Sequence, residues 1–501
     1  MAADRNSYSS ITKAIGLFGG VKVFQILVSL VKNKLIAILL GPTGMGISGM
    51  ILSTTALISS LTNFGLQVSG VRDVSKAYSS NDKVTINGTV SVLRRLVLFT
   101  GVLGSILTFI LAPILSQWAF DDAGYTNAFR LVSVVLFLDQ VCIGQTVLLQ
   151  GTFNYKYMAK ASLWGSILGL VISVPIYYLW HFDGIVPVII LTSVANLILS
   201  TYYSRKIPYE KQRMTFSETM KKGRLMLVLG LAIASTGILD NSKIYLIRLV
   251  ISRFGDISDV GLYTAGVAVA NQYIGMVLMS MASDYSPRLA SVSDNLDTFK
   301  ETINRQIKLL VTLVTPLVLL FILFIQPITI ILYSSKFLPI IGMLEWMMLG
   351  MLFRSVAWCI TFCYVAKGDA KFFFWNEVIT TLYSTLLAIA GYVVGGFEGM
   401  GIGFCLMYVF YTIQHLMVSF RKYGYRVSRD VIVTIVPQIA LSCIFFIVLR
   451  CVGYASFRYL LGILFFVVIA AFSIKSLDKM LNLKGLITNK LIKKGNDVSK
   501  L

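Results

Sequence analysis

Apolar runs of about 20 residues recur along this chain, the length a helix needs to cross roughly 30 Å of hydrocarbon at 1.5 Å per residue. Fourteen such runs can be drawn, over residues 13–40, 45–69, 95–119, 129–151, 162–180, 184–203, 225–250, 261–284, 308–333, 338–366, 372–395, 399–420, 431–451 and 456–474. No soluble core of a 501-residue chain absorbs that much apolar surface, with 56% of residues hydrophobic and only 13% charged. Inside lipid every backbone polar group must find its partner within the protein, which leaves helix bundles and closed barrels. Only 10 prolines and no alternating ten-residue pattern favour the bundle. The expected fold class is an all-α polytopic membrane protein with 14 transmembrane helices.

The formal net charge of +21 would suggest nucleic acid in a soluble protein. Here Lys and Arg gather in short segments between apolar runs, as a positive-inside topology requires, and no nucleic-acid partner is expected. An even number of spans returns the chain to its starting side. Arg205, Lys206, Lys211, Arg213, Lys221, Lys222 and Arg224 in one loop, with Lys475, Lys479, Lys484, Lys490, Lys493 and Lys494 in the tail, place both termini in the cytoplasm. The polar segment Met1–Ser10 leads into an apolar run without a small-residue cleavage site, so a removable signal peptide is not expected.

Cys142, Cys359, Cys363, Cys405, Cys443 and Cys451 all fall in apolar runs without a C-x-x-C pair, so they read as small buried hydrophobes rather than as metal ligands or disulfides. Neither a phosphate-cradling glycine loop nor an H-E-x-x-H or G-x-S-x-G motif is present. No enzyme, cofactor or metal is expected. Asn87-Gly88-Thr89 fits a glycosylation sequon but falls in a cytoplasmic loop and is discounted.

An internal repeat recurs at an offset near 215 residues. His181-Phe182-Asp183-Gly184 answers Gly396-Phe397-Glu398-Gly399, each turning between two runs. Lys156 answers Lys371, Gly46 answers Gly261, and Ser204-Arg205-Lys206 answers Phe420-Arg421-Lys422 one residue out of step. The expected organisation is therefore two like-oriented six-helix lobes related by an axis along the membrane normal. An N-lobe over residues 1–206 is followed by a basic cytoplasmic linker at 207–224 and a C-lobe over 225–422. Two further helices and a basic tail occupy 423–501.

A charge in hydrocarbon costs several kcal/mol, so ionisable residues deep in spans face a cavity or a partner. The cations inside spans are Lys22, Lys32, Lys34, Lys243, Arg248 and Arg354; the anions are Asp139, Asp240, Glu345 and Glu377, with His415 beside them. Lys34 and Arg248 occupy near-equivalent repeat positions and can present two cations to one anionic substrate such as a diphosphate; the alternative is that both snorkel to headgroups. Lys22 sits roughly 13 Å into the first span, too deep for easy snorkelling, and is expected to line the cavity.

Lys32 points about 200° away from Lys34 at 100° per residue, so only one of them can face a cavity squarely, and Lys32 is expected to be the snorkeler. Asp240 and Lys243, three apart, are expected to pair, and Lys243 then serves a substrate only in competition with Asp240. Asp139 and Glu377 are candidates for coupling or gating, as Asp240 is; each also admits a structural reading as an interhelical or interfacial carboxylate. Glu345, Arg354 and His415 receive no role.

Lys34-Leu35-Ile36-Ala37 running into Gly41-Pro42-Thr43-Gly44-Met45-Gly46, Arg248 followed by Val260-Gly261-Leu262-Tyr263, and Ala366-Lys367-Gly368 through Lys371 to Asn376-Glu377-Val378 carry a family likeness. Over about residues 10–422 the chain resembles the Wzx-type O-antigen flippases. These form the polysaccharide-transporter branch of the multidrug/oligosaccharidyl-lipid/polysaccharide (MOP) exporter superfamily. The resemblance implies a V-shaped pair of lobes, alternating access and an undecaprenyl-diphosphate-linked oligosaccharide as substrate, in the bacterial inner membrane. It further implies that Lys34, Arg248 and Glu377 fall where the family places charges, whereas Lys22 lies about one helical turn out of register with a family lysine. Membrane lipids are implied partners, as are the polymerase and chain-length proteins of a polysaccharide pathway. Two rivals remain open: a cation-coupled drug exporter of the same superfamily, which should line its cavity with carboxylates, and a membrane polysaccharide polymerase, which should carry a large periplasmic loop.

Overall fold

A computed structural model describes residues 2–210, 212–452 and 455–481, with side chains from residue 20 onward except Lys22, Tyr273, Ser283, Ala370, residues 455–456, Lys479 and Leu481. The first half of the described chain forms α1 (Ala2–Leu39), α2 (Gly41–Thr62), α3 (Leu66–Ser79), α4 (Lys83–Phe120), α5 (Thr126–Gly151), α6 (Tyr155–Trp180) and α7 (Ile185–Ser204). Then follow α8 (Phe216–Phe254), α9 (Ile257–Ser291), α10 (Leu296–Leu323), α11 (Ile325–Leu332), α12 (Ile341–Ala366), α13 (Ala370–Tyr423), α14 (Arg429–Cys451) and α15 (Ala455–Leu481).

Eleven stretches among the described residues are long and apolar enough to cross a membrane. Two of them, Tyr155–Ser204 and Lys371–Tyr423, each hold two helices. With the 38-residue α1 added, the helices available for crossing number the fourteen that the apolar runs imply. Inside α13 the break falls at Gly395 and Gly396, where Gly396 takes φ 57°, a left-handed conformation that costs a glycine little.

The loops differ from expectation. The basic segment between the second and third runs is helical almost throughout, as α3 and the first turns of α4. Helix α4 starts because the Asp82 carboxylate accepts from the backbone N–H groups of Val84 and Thr85, both at 3.1 Å. Its 38 residues span roughly 57 Å, so it projects well beyond the hydrocarbon. The run at 308–333 is interrupted after Leu323: Pro327, lacking an N–H, is accommodated in the first turn of a new helix, α11, rather than inside a continuing α10.

The chain divides into two compact units, Met1–Ala265 with Leu332–Lys336, and Gly266–Ile331 with Phe337–Leu501. In the first, Leu66 and Val74 of α3, Leu93 and Leu96 of α4, and Leu148 and Leu149 of α5 form a core closed by Met226 of α8. In the second, Phe299, Ile303, Ile307, Leu310, Val314 and Val318 make a buried stripe along α10, at the spacing of one helical face. Outward-facing apolar residues such as Ile110, Leu179 and Val394 are 67, 69 and 88% exposed. Such a surface is untenable in water and costs nothing against acyl chains.

Candidate functional site

Polar residues recur on one face of α1: Gln25, Ser29, Lys32 and Asn33 follow each other at steps of one turn or less. That face looks into a cavity of about 600 Å³ within the first unit. Ser48, Gly49 and Thr55 of α2 line it from one side, and Asp139 of α5, Tyr177 of α6 and Thr192 and Ser193 of α7 from another. Arg248 of α8 and Thr264 of α9 complete it. An adjoining cavity of about 580 Å³ shares Ser29, Lys32, Asp139 and Thr192 and is walled by hydroxyls and amides, among them Gln25, Thr146, Ser166, Asn196 and Ser200.

Three charges meet there. Arg248 donates from Nη1 to the Gly49 carbonyl at 2.7 Å, while its buried Nε has no acceptor. An unmet buried donor costs about 1–3 kcal/mol, which an incoming acceptor would recover. Lys32, among the described residues, makes no hydrogen bond or ion pair. The Asp139 carboxylate faces the Ser193 hydroxyl and shares both cavities with Lys32 without an ion pair between them. Among the described residues, two cations against one carboxylate leave the lining net positive, and an anion with several acceptor oxygens matches both the charge and the open donors.

Lys32, not Lys34, is the α1 lysine that lines the cavity, which corrects the expected assignment of the two. The wheel geometry holds, but the helix is turned the other way: α6 packs on α1 and brings the Gln25–Ser29–Lys32 face inward. Lys34 points elsewhere and donates from Nζ to the Tyr333 carbonyl at 2.5 Å. The side chain of Lys22 lies outside the described residues.

Lys243 and Asp240 stand 3.6 Å apart on α8, the aspartate 64% exposed, and neither lines either cavity. Glu377 belongs to the second unit, where the Tyr411 hydroxyl donates to it at 3.4 Å. Beside them His415 is buried, its Nδ1 2.8 Å from the Tyr364 hydroxyl, and Arg354 donates to Asn271 at 2.7 Å. Glu345, given no role from sequence, is a buried carboxylate that accepts from Arg450 Nε at 3.1 Å and Arg458 Nη2 at 2.8 Å. The two arginines flank the α14–α15 turn, so this carboxylate fastens the last two helices to α12.

Lipid-facing helices around a charged, polar-walled cavity define a multi-pass membrane protein. Its fold is shared with an inward-facing multidrug resistance MATE family transporter of the MOP superfamily, with a TM-score of 0.69 at 15% identity over 80% of this chain and 94% of that one. The lipid II flippase MurJ in an inward closed conformation gives a TM-score of 0.66 at 15% identity, covering 92% of this chain and 99% of that one. In sequence, the lipid III flippase of Escherichia coli (strain K12) is 19% identical over 400 residues, 78% of this chain and 93% of the relative. These relatives are transporters and flippases, not catalysts. Residues 35–342 match the family described as polysaccharide biosynthesis protein, and the chain belongs to that family.

Proposed function

We propose that this protein carries a lipid-linked oligosaccharide across the bacterial inner membrane, from cytoplasmic to periplasmic leaflet, and that an O-antigen or related surface-polysaccharide unit on undecaprenyl diphosphate is its substrate. The observation that carries the reading is the pair Lys32 and Arg248 lining one intramembrane cavity, with the Nε donor of Arg248 unmet. A diphosphate supplies the matching oxygens, the hydroxyl and amide wall around Asn196 and Thr192 suits a sugar, and the polyprenyl tail stays among the lipid-facing helices. Membership in a polysaccharide biosynthesis family and likeness to lipid-linked flippases support the same substrate class. A drug exporter driven by cations is less well supported, because the cavity lining holds Asp139 as its one carboxylate beside two cations.

Alternating access by two like-oriented six-helix lobes, with both termini cytoplasmic and α14 and α15 as an appendage, belongs to this proposal. Repeat-equivalent details favour it. Asp82 and Asn295 cap α4 and α10 in the same way, and nine residues on, Ser91 and Asn304 each accept from the backbone N–H of the segment that follows a lobe, at Gln212 and Ser428.

Charge reversal at the cavity tests the substrate reading. Lys32→Glu and Arg248→Glu are each expected to abolish surface polysaccharide while leaving the protein at normal level in the membrane. Normal polysaccharide in both variants ends the assignment.

A further inference from the structure

Within the first unit the start of α2 crosses the start of α9 with backbones in contact. A Cβ on Gly46 would fall 1.8 Å from the Ile257 carbonyl oxygen, and a Cβ on Gly261 would fall 1.9 Å from the Pro42 carbonyl oxygen. Pro42 and Ile257 lie 215 positions apart, and so do Gly46 and Gly261, which is the offset of the internal repeat. The crossing is therefore self-complementary: each repeat offers its glycine to the carbonyl of the other, as an isologous contact between subunits does.

Two cations brace this crossing from opposite halves of the sequence, on acceptors that are not repeat-equivalent. Arg248, from the second half of the sequence, donates to the carbonyl of Gly49 in the first half at 2.7 Å. Lys34, from the first half and 214 positions earlier, donates to the carbonyl of Tyr333 in the second half at 2.5 Å. Tyr333 is itself tied to the crossing helix, its hydroxyl donating to the Ala265 carbonyl at 3.2 Å.

We propose that this crossing is a gate at the α1–α2 end of the cavity, that Lys34 and Arg248 are its latches, and that an anionic headgroup in the cavity opens it by drawing Arg248 away from Gly49. The proposal rests on the reading that the cavity takes a diphosphate. Arg248 lines that cavity and holds the gate with the same guanidinium, so the two uses compete. Its partner in the closed gate is a neutral carbonyl, whereas phosphate oxygens form charge-assisted and bidentate bonds roughly twice as strong. A ligand shifts a conformational equilibrium only by its differential affinity, and this exchange supplies one. Lys34 does not line the cavity, so it yields after Arg248 and not to the ligand directly.

A cysteine pair reads the gate. A Cβ at Gly49 lies 3.0 Å from Thr264 Oγ1 and 3.6 Å from its Cγ2, within the reach of a disulfide, so Gly49→Cys with Thr264→Cys reports the closed crossing. In oxidised membrane vesicles the pair is expected to cross-link and to stop polysaccharide transport until a reductant is added. Inorganic diphosphate should slow cross-linking by at least about fivefold, in the range of ordinary coupling between sites. Arg248→Met in the same background should lower the yield and remove the diphosphate response; Arg248→Lys should keep a high yield; Lys34→Met should lower the yield and keep the response. Diphosphate binding is measured on the same vesicles. Binding without a change in cross-linking, or an unchanged yield in Arg248→Met, overturns the gate while leaving the cavity reading intact. Absence of binding overturns both.

Discussion

Glu345 shows what a buried carboxylate does when two guanidinium groups reach it. With Arg450 and Arg458 each bonded to one of its oxygens, the charge is satisfied, and Glu345→Ala would leave Arg458 without this acceptor while Arg450 keeps its pairing with Glu398. The expected loss is about 1–3 kcal/mol of stability, measured as a lower unfolding temperature in detergent, with transport affected less than in the Arg248 variants. Asp139 plays the opposite part, a carboxylate in the cavity that would repel an anionic ligand. Asp139→Asn is expected to tighten diphosphate binding on the order of tenfold, and weaker binding would show that the carboxylate helps to hold the ligand. The list of intramembrane charges was legible in the sequence, because a charge among apolar residues stands out. Which of Lys32 and Lys34 looks inward was not, since the turn of α1 about its axis is set by helices more than a hundred residues away. The polar row of Gln25, Ser29 and Lys32 was the local signal that carried the answer.

At the level of elements, hydrogen bonds to a following segment set where a helix pair ends. Asn304 accepts from the buried Tyr425 hydroxyl at 2.9 Å and from Ser428 N–H at 3.3 Å, so Asn304→Ala should cost about 1–3 kcal/mol by orphaning buried donors. Its counterpart Ser91 takes one such bond, from Gln212, and Ser91→Ala should cost about 1 kcal/mol in the same unfolding assay. The N-terminus of α8 adds a pH-dependent brace. Glu218 is held below the ordinary carboxylate range, first by the backbone N–H of Thr215 and then by its hydroxyl. That brace is present above the usual carboxylate value and is lost as pH falls through the depressed one, so helix order near Thr215, followed by amide exchange, should fall only in acid. Spans were readable because hydrocarbon demands a minimum apolar length. Helix α3 was hidden because Arg72 and Lys76 make its 14 residues read as a loop, and the end of α10 was hidden because Phe324 sits inside an unbroken apolar run.

For the molecule as a whole, side of the membrane is the quantity to measure. In a variant freed of its six native cysteines, a single cysteine at Asp183 or Glu398 should react with an impermeant thiol reagent added outside cells, whereas one at Gln212 should react only after the membrane is opened. Any reversal of that pattern removes the proposed orientation. Fold class was legible from apolar length alone, because that length is written in local sequence; the proposed duplication rests on a few matched turns. The meeting of Gly46 with Ile257 was not, because nothing near residue 46 announces which distant carbonyl will press on it. That contact also has a consequence for descent. Under the proposed duplication the two copies would otherwise be free to drift apart, each accumulating its own changes. Where a glycine in each half faces a backbone carbonyl of the other, a bulkier residue at either glycine forces the same crossing apart, so Gly46 and Gly261 are constrained together while the residues that supply the two carbonyls are free to vary.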